Sequence, residues 1–292
     1  MTKLGVDISH NNGTVDFSAL KNAGFGDFAI LRAGYGGDYS NQDDGQFVRN
    51  IGECERLGIP YGIYLYSYAL NTNDAKSEAN HVLRLLKQVG SNFKYGVWFD
   101  MEDADGYKKK HGMPSNSTLV DICYTFCETV EGKGYYTGIY ASLSWLNNQL
   151  SGNKLERFDK WVAQWNNTGC TYNKTYSIWQ YTSDLNIGGK RFDANELKRD
   201  FATSGNSGHV TKPSTNNNKK LYLPKDAKTW RVYPLNKKPI KGNECGLLKP
   251  SKFGGLEYDI IRYSQTDVAV IQTRDFGQVQ IYVAKSTGAV IK

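Results

Sequence analysis

The sequence predicts an α/β fold, a closed but irregular barrel of strands and helices, followed by a small all-β barrel. Strand-like and helix-like segments alternate through residues 1–202, a polar segment interrupts the pattern at 203–220, and only short strand-like runs follow in 221–292. Alternating strands and helices are typical of a parallel sheet, and closely spaced short strands are typical of small all-β domains.

The strand candidates of the first region are short apolar and aromatic runs at 4–9, 28–36, 61–69, 95–102, 136–142, 160–165, 176–182 and 191–196. Helix candidates separate the first six of them, at 16–24, 43–58, 72–90, 115–133 and 142–150. Eight strands in about 200 residues fit a closed barrel at the small end of its usual size. The short connections after residue 150 indicate five strand–helix units followed by three strands.

The segment 203–220 is rich in Ser, Thr, Asn and Gly, so we expect it to be a flexible linker. It also separates two regions of different charge. Residues 1–203 hold 21 Lys and Arg against 23 Asp and Glu, whereas residues 204–292 hold 15 against 6. We therefore predict two domains, a near-neutral one at 1–202 and a basic one at 221–292.

Composition excludes several classes of protein. No stretch approaches the roughly 18 apolar residues of a membrane span, and the N-terminal residues lack the apolar core of a secretory signal. The five cysteines, an odd number, fit a reducing compartment better than a disulfide framework. Core packing is favoured over a metal pair for Cys123 and Cys127, because no further ligands lie nearby. The histidines are too dispersed to suggest a catalytic triad or a metal site, so nucleophilic serine chemistry is not expected. The sequence contains no metal motif, and no cofactor is expected.

The side chains suited to catalysis or binding lie at the ends of the strand candidates, where barrels of this kind place their active sites. Polar and aromatic side chains occur there on every strand: Asp7, Arg32, Tyr64, Tyr66, Asp100, Glu102, Tyr140, Gln164, Trp165, Trp179, Gln180 and Asp193. The first and last strands of a closed barrel are neighbours. The carboxylates of strands one, four and eight are therefore expected to converge on one mouth.

Asp100 and Glu102 are two residues apart at the end of the fourth strand candidate, so their side chains should face the same side. Their Cα atoms would be roughly 6.5 Å apart, from a rise of about 3.3 Å per residue. Two carboxylates this close do not both ionise easily, so one pKa should rise. One protonated acid beside one carboxylate is the equipment of a glycosidase, in which the acid protonates the leaving oxygen.

Some of these residues have alternative explanations. Asp193 could be the N-cap of a helix, because DANE matches a capping box. Asp7 could simply accept hydrogen bonds from loop amides, and Tyr64 and Tyr66 could fill the barrel. The lysines at 108–110 are expected to form a solvated face.

Residues 1–202 resemble glycoside hydrolase family 25, the Chalaropsis-type lysozymes, through motifs that occur in the order found in that family. These are GVDIS, LRAGYG, PYGIYLYSYA, WFDMED, GIYAS, WVAQW, IWQYTS and FDAN. The resemblance implies an irregular (β/α)5β3 TIM-like barrel that cleaves the β-1,4 bond between N-acetylmuramic acid and N-acetylglucosamine in peptidoglycan.

The resemblance also implies roles for the acidic residues. Glu102 resembles the general acid/base of the family, and Asp100 its partner, either a nucleophile or a group that assists the acetamido group of the substrate. Asp7 and Asp193 resemble two further acids that position substrate or tune Glu102. Substrate contacts are expected from the other side chains at the strand ends: Arg32, Tyr64, Tyr66, Tyr140, Gln164, Trp165 and Gln180.

Residues 221–292 resemble the bacterial SH3-type domains of cell-wall lytic enzymes, through LPKDAKTWRVYP, LLKPSKFGGLEYDII and TRDFGQVQIYVAKSTGAVI. The resemblance implies binding to peptidoglycan peptides or another wall polymer. The positive charge would also suit nucleic acid, but the linkage to a muramidase favours the anionic wall of a Gram-positive bacterium. Neither a nucleic acid nor a membrane is expected as a partner.

A muramidase joined to a wall-binding domain resembles a bacteriophage endolysin, which would accumulate in the host cytoplasm until a holin opens the membrane. The alternative in biology is a bacterial autolysin with the same chemistry. Two alternatives in chemistry are a non-catalytic wall-binding lectin and a glucosaminidase or chitinase that cleaves a different bond.

Overall fold

The computed structural model describes residues 2–199, 220–235, 237–265 and 267–292 of the chain. The chain divides into two compact units, Met1–Thr211 and Lys212–Lys292. This boundary falls within the predicted linker at 203–220, which lies outside the described residues except for Lys220. In the ranges that are described, none of the helices has the length and apolar character needed to cross a membrane.

The described part of the N-terminal unit contains a closed barrel of eight strands. The strands are β1 (Lys3–Ile8), β2 (Phe28–Tyr35), β3 (Tyr61–Tyr66), β4 (Phe93–Asp100), β5 (Thr137–Ser142), β6 (Asp159–Ala163), β7 (Ile178–Ile187) and β8 (Lys190–Leu197). Each strand candidate of the sequence corresponds to one of these strands, with small differences at the ends. From β1 to β7, neighbouring strands are parallel and follow each other in sequence order.

The last strand, β8, runs antiparallel to both of its neighbours, β7 and β1. Gly188 and Gly189 connect β7 to β8 with positive φ angles of 59° and 77°. Two successive residues with positive φ form the tight turn that is favoured in a two-residue hairpin. The predicted parallel arrangement is therefore correct for β1 to β7 and wrong for β8, because a hairpin this short cannot make the crossover that parallel strands need.

Helices pack against the outside of the barrel between the first six strands. They are α1 (Phe17–Asn22), α2 (Phe47–Leu57), α3 (Thr72–Leu85), α4 (Tyr107–Lys110), α5 (Asn116–Glu131) and α6 (Leu143–Asn147). Side chains of Asp16, Asn71, Ser115 and Ser142 accept hydrogen bonds from the first turns of α1, α3, α5 and α6. The predicted helices are present but shorter, and α4 is not among the predictions.

Side chains at alternate strand positions separate into an outer and an inner core. Outward-facing residues such as Leu31 and Phe99 pack with the helices, whereas the inner core is largely aromatic and includes Trp98 and Trp161. Gly138 on β5 leaves room for Trp98, because a Cβ at this position would lie 2.4 Å from Cζ3 of the indole ring. The next inward position on β4 is Asp100, so the apolar filling ends where the polar mouth begins.

All five cysteines are free. Cys123 and Cys127 on α5 are fully buried in the outer core, so the prediction that they serve packing is confirmed. Across the described ranges, no group of three or more His, Cys, Asp or Glu side chains is arranged to hold a metal ion.

The described part of the C-terminal unit is built on a separate seven-stranded antiparallel sheet. Its strands are β9 (Lys220–Leu223), β10 (Trp230–Tyr233), β11 (Gly246–Leu248), β12 (Leu256–Gln265), β13 (Val268–Thr273), β14 (Gly277–Tyr282) and β15 (Val290–Ile291), in the order β11-β10-β14-β13-β12-β9-β15. Alternate residues of neighbouring strands, such as Ala269, Ile271, Val279 and Ile281, form its core. The prediction of a separate all-β region is confirmed at this level.

Candidate active site

A cleft of about 630 Å³ opens at the mouth of the barrel. Its lining includes most of the predicted site residues, namely Asp7, Arg32, Tyr64, Tyr66, Asp100, Glu102, Tyr140, Gln180 and Asp193. Asp193 reaches this mouth from the middle of β8, which runs antiparallel to β1 and sets Asp193 opposite Asp7. The expected convergence of strands one, four and eight is therefore confirmed.

Asp193 and Asp7 are register partners on the antiparallel strands β8 and β1. Their carboxyl groups are close enough to affect each other's ionisation. Burial and the negative charge of Asp193 raise the pKa of Asp7 well above its usual value, and burial raises the pKa of Asp193 as well. The capping-box interpretation of Asp193 is wrong, because Lys190–Leu197 is a strand.

Asp7 is buried beneath the cleft, and the hydrogen bonds described for its carboxylate come from side-chain amides. Gln180 Nε2 donates to Asp7 Oδ2 over 2.9 Å, and Asn195 Nδ2 donates to the same oxygen over 2.8 Å. Trp161 Nε1 in turn donates to Asn195 Oδ1 over 2.7 Å. Asp7 therefore belongs to the pocket, and the loop-amide explanation does not describe it.

Gln180 joins several strands in the floor of the cleft. Its Oε1 accepts hydrogen bonds from Tyr140 Oη over 3.0 Å and from Trp165 Nε1 over 2.9 Å, while its Nε2 donates to Asp7. Because both ends of the amide are hydrogen-bonded, the orientation of the Gln180 side chain is fixed. Its hydrogen bond to Asp7 also fixes the position of the accepting oxygen.

Two predicted substrate contacts lie outside the cleft lining. Trp165 is 61% exposed and is connected to the cleft through its hydrogen bond with Gln180. Gln164 accepts a hydrogen bond from Thr171 N over 2.7 Å and donates to the Thr171 hydroxyl over 3.1 Å. Its side chain therefore closes the loop that follows β6, and the structure does not bring it to the cleft.

Asp100 ends β4, and Glu102 lies two residues further along the chain. Burial raises the pKa of Asp100 well above its usual value, and the negative charge of Glu102 raises it further. Burial also raises the pKa of Glu102, to about 7. The expected rise thus occurs in both carboxyl groups. Since interacting carboxyls titrate as a pair, this pair retains a proton close to neutral pH.

The two carboxyl groups differ in their surroundings. Asp100 is 4% exposed, and its Oδ1 has no hydrogen-bond partner within the described part of the chain. Glu102 is half-buried and more accessible from the cleft. A buried oxygen without a donor is costly, so Asp100 offers an acceptor to any N–H or electron-poor carbon that enters the cleft. Protonated Glu102 offers a donor.

The burial of Lys108 is the largest departure from the environments predicted by the sequence. The lysines at 108–110 are expected to be solvated, and Lys109 and Lys110 are exposed, but Lys108 is only 1% exposed. The carboxylate of Asp103 accepts hydrogen bonds from the main-chain N–H groups of Lys108 and Lys109, which fixes the start of α4. Nζ of Lys108 then donates to the main-chain oxygen of Glu102 over 2.8 Å. The solvated-face prediction is wrong for this residue.

Arg32 on β2 is held by Asp44, which is buried in the loop before α2. Arg32 Nε donates to Asp44 Oδ2 over 2.8 Å, and His10 N donates to the same oxygen over 2.9 Å. The guanidinium group also contacts the ring of His10. Arg32 therefore presents a fixed positive charge to the cleft, and His10 forms part of the wall.

Tyrosines form another wall of the cleft. Tyr66 and Tyr68 have ring centroids 5.3 Å apart, and Tyr68 Oη donates to Asp105 Oδ2 over 2.6 Å. Tyr64 lines the cleft and also packs in the inner core, so both explanations proposed for it hold. Tyr66 lines the cleft. Aromatic faces beside a polar cleft suit the apolar faces of sugar rings.

Several residues that build this site are not predicted from the sequence to belong to it. Asn195 follows Asp193 by two positions on a strand, and this period of two could have identified it as inward-facing. Asp44 lies in the loop before α2, and His10 begins a single 3-10 turn after β1, so no periodic pattern applies to either. Lys108 has the same sequence environment as its exposed neighbours, so no pattern distinguishes it.

A comparison with protein families identifies the N-terminal region. Residues 6–190 match the description "Glycosyl hydrolases family 25". Among curated proteins, the chain is 25% identical over 209 residues to lysozyme M1 from Streptomyces globisporus. Over 92 residues, 29% of this chain, it is 53% identical to the endolysin of Listeria phage A511. The aligned regions span 66% of the lysozyme and 27% of the endolysin.

Solved structures resemble the same region. The modular autolysin LytC from Streptococcus pneumoniae is 31% identical with a TM-score of 0.58, and the alignment covers 67% of this chain and 46% of that one. The catalytic domain of endolysin ply40 from bacteriophage P40 of Listeria monocytogenes is 25% identical with a TM-score of 0.55, covering 70% and 97%. Since the family match extends over more than half of the residues, the chain belongs to glycosyl hydrolases family 25.

Proposed function

We propose that the N-terminal unit hydrolyses the β-1,4 bond between N-acetylmuramic acid and N-acetylglucosamine in peptidoglycan. The observation that carries this proposal is the pair formed by buried Asp100 and half-buried Glu102 at the barrel mouth, with the pKa of Glu102 raised to about 7. Membership of a glycosyl hydrolase family and relatives named lysozyme, autolysin and endolysin support the choice of substrate.

In the first step, protonated Glu102 donates its proton to the glycosidic oxygen as the bond from that oxygen to the anomeric carbon breaks. A pKa of about 7 keeps this proton available at neutral and mildly acidic pH. The leaving sugar departs as an alcohol, and positive charge develops at the anomeric carbon.

Asp100 then stabilises that charge through its unpartnered oxygen. It either bonds to the anomeric carbon or accepts the N–H of the substrate's acetamido group, whose oxygen then bonds to the carbon. In the second step, Glu102, now a carboxylate, removes a proton from water. The water oxygen attacks the anomeric carbon as the bond from that carbon to Asp100, or to the acetamido oxygen, breaks. Both routes return Glu102 to its protonated form and give a retained product.

Asp7 and Asp193 support this chemistry from the opposite strands. The charge of Asp193 is one of the causes that raise the pKa of Glu102, which favours its acid form. Arg32 and the tyrosine wall line the same cleft and are placed to bind the polar groups and ring faces of the sugars.

We also propose the finer assignment of both folds. Five strands followed by helices, and then three strands with short connections, support a (β/α)5β3 TIM-like barrel for residues 1–202. The small antiparallel sheet and its core support an SH3-like barrel for residues 221–292, joined by a flexible linker at 203–220.

The C-terminal unit is proposed to bind the wall through a groove of about 520 Å³. Phe253, which is 71% exposed, forms part of this groove together with Lys249 and Lys252. Arg274 in the same lining is paired with Asp275, which leaves the lysines to attract an anionic ligand. An exposed ring beside positive charges suits a wall peptide or a phosphate-bearing wall polymer.

The groove is tested in the full chain made inactive by Glu102→Gln, so that walls stay intact. Phe253→Ala should reduce the protein that sediments with purified Gram-positive walls by several-fold. Val290→Ala, an exposed residue outside the groove lining, is the matched control. Equal sedimentation of the Phe253 variant and its parent would show that this groove is not the anchor.

In biology, we propose that the protein is a bacteriophage endolysin made in the host cytoplasm. The identity with the phage A511 endolysin and the likeness to endolysin ply40 support this role. Expressed in a Gram-positive host, the protein should leave cells intact until a holin is co-expressed. Lysis from inside without a holin would favour an exported autolysin instead.

Product analysis tests the bond. Peptidoglycan digested by the protein is reduced with borohydride, and the new ends are identified by mass spectrometry. N-acetylmuramitol is the expected product. N-acetylglucosaminitol would mean that the enzyme is a glucosaminidase, and the absence of new ends on several walls would favour the lectin.

A further inference from the structure

The ammonium group of Lys108 joins the chain segments that follow two neighbouring strands. Nζ donates to the main-chain oxygen of Glu102, after β4, over 2.8 Å, and to the main-chain oxygen of Ser67, after β3. Because these contacts are to the main chain, they constrain where the backbone places the Glu102 side chain. None of the steps proposed above uses this lysine.

Its position is energetically costly. Lys108 is 1% exposed, and burying a lysine requires compensating partners. Glu78 on α3, also 1% exposed, is the neighbour whose charge most favours the ammonium group. Glu78 itself accepts hydrogen bonds from Ser67 Oγ over 2.9 Å and from Tyr68 N over 2.6 Å. A buried cation is thus built into the wall of the barrel at this end of the strands.

Charged and titratable groups face this ammonium from each element around it. They are Glu78 on α3, Asp100 at the end of β4, Asp103 before α4, Cys123 on α5 and the ring of Tyr66 on β3, whose centroid lies 5.9 Å from Nζ. Burial lowers the pKa of Lys108, and the acids among these neighbours oppose that shift.

Lys108 also acts on the two candidate catalytic carboxyl groups. Its charge lowers the pKa of Asp100 and that of Glu102, against the rise that burial causes in both. Glu102 is also faced by Asp193, Asp105 and Asp103, whose charges raise its pKa. Without the lysine, this end of the barrel would contain buried acids opposed mainly by Arg32, which acts on Asp100.

We propose that Lys108 is a positioning residue for catalysis, whose buried ammonium group holds the main chain at Glu102 and places a fixed positive charge beside Asp100 and Glu102. The inference rests on the proposed glycosidase function. It explains why a lysine is buried next to the site at the expense of folding stability, which a purely structural residue would not require.

The experiment compares neutral and charged replacements in the full chain. Lys108→Met removes the charge and keeps the length of the side chain, and Lys108→Gln keeps a donor group without the charge. Lys108→Arg keeps the charge. Lys109→Met, a change to the exposed neighbour on α4, is the matched control. Folding is checked by circular dichroism, and kcat/KM on purified peptidoglycan is measured as a function of pH.

The neutral variants should move both limbs of the pH profile to higher pH by about one unit, because removing a nearby opposite charge raises carboxyl pKa values. The acid limb reports ionisation of Asp100 and the alkaline limb reports loss of the Glu102 proton. At neutral pH kcat should fall by tenfold or more while KM stays within a few-fold. Lys108→Arg should keep the limbs in place, and Lys109→Met should match the parent.

A folded neutral variant with unmoved limbs would overturn the proposal. So would failure of both neutral variants to fold while Lys108→Arg folds, since the ammonium would then serve folding alone. A carboxyl titration by ¹³C NMR, with Glu102→Gln to assign the signal, separates this inference from the proposed function. If the wild type releases no sugar ends, the Glu102 signal of Lys108→Met must still titrate at higher pH, and an unmoved signal rejects the inference.

Discussion

Asp7 and Asp193 face each other across the antiparallel seam that closes the barrel, and the charge of Asp193 raises the pKa of Asp7. This contact exists because β8 reverses direction after Gly188 and Gly189. The antiparallel pairing of β8 with β1 sets Asp193 directly opposite Asp7. The hairpin therefore brings a second pair of acids to the mouth that already holds Asp100 and Glu102.

Replacing Asp193 should move the alkaline limb of the pH profile. Asp193→Asn removes a negative charge that raises the pKa of Glu102, so that pKa should fall. The alkaline limb of kcat/KM should then shift to lower pH, opposite in sign to the neutral variants of Lys108. Asp184→Asn, on the exposed part of β7, is the control. A limb that stays in place in the folded Asp193 variant would contradict this role.

The buried Glu78 should make stability depend on pH. Its pKa is raised from 4.5 to about 7 in the folded protein, so the folded state binds more protons than the unfolded state in this range. The stabilising contribution is complete below about pH 4.5 and is lost as the pH rises through about 7. Glu78→Gln should flatten this part of the plot of Tm against pH.

The control for Glu78 is Glu53→Gln on α2, where the partner Arg56 lowers the pKa of a partly exposed carboxylate. The Glu53→Gln variant should keep the slope of Tm against pH that the parent shows between about pH 4.5 and about pH 7. Parallel Tm profiles for Glu78→Gln and the parent would show that Glu78 does not titrate in this window.

Two glutamines offer a matched test of the site. Gln180→Ala leaves buried Asp7 short of one donor and Tyr140 without its acceptor, which costs about 1–3 kcal/mol. If this free energy is lost from stabilisation of the transition state, kcat/KM drops roughly 5- to 150-fold. Gln164→Ala only releases the Thr171 loop and should keep kcat/KM within about threefold. Equal losses in both variants would contradict the placement of Gln164 outside the cleft.

The domain division predicts the behaviour of residues 1–202 produced alone. Because the barrel strands close among themselves, this fragment should fold with its own cooperative transition. It should keep activity on soluble peptidoglycan fragments but sediment poorly with intact walls, compared with the full chain. Unfolding of the fragment at room temperature would show that the division does not separate independent domains.

The order of barrel elements is predictable from sequence because strands and helices leave distinct periodic patterns. The alternation of apolar runs such as 61–69 with amphipathic segments such as 72–90 locates both kinds of element. The direction of β8 is not predictable from alternation alone, since it depends on the φ angles of two glycines in a turn. The capping-box motif at Asp193 is local, and the sheet contacts of β8 override it.

The carboxylates of the site are predictable for a different reason. Asp7, Asp100 and Glu102 come directly after, or inside, apolar runs, where an ionisable side chain is unusual and therefore informative. Lys108 lies in a run of exposed lysines, and its burial depends on contacts with main-chain atoms after β3 and β4. Gln164 shows the opposite case, in which a residue at a strand end turns towards a loop.

The most direct test of the central claim compares the wild type with Glu102→Gln on one batch of Gram-positive peptidoglycan. The measured quantity is the rate at which N-acetylmuramitol appears after borohydride reduction. Glu156→Gln, an exposed glutamate paired with Lys174, is the control. We predict a loss of roughly 10²- to 10⁴-fold for Glu102→Gln with the fold intact, and none for the control. A folded Glu102→Gln variant that releases muramitol within a few-fold of the wild-type rate would contradict the assignment of the general acid.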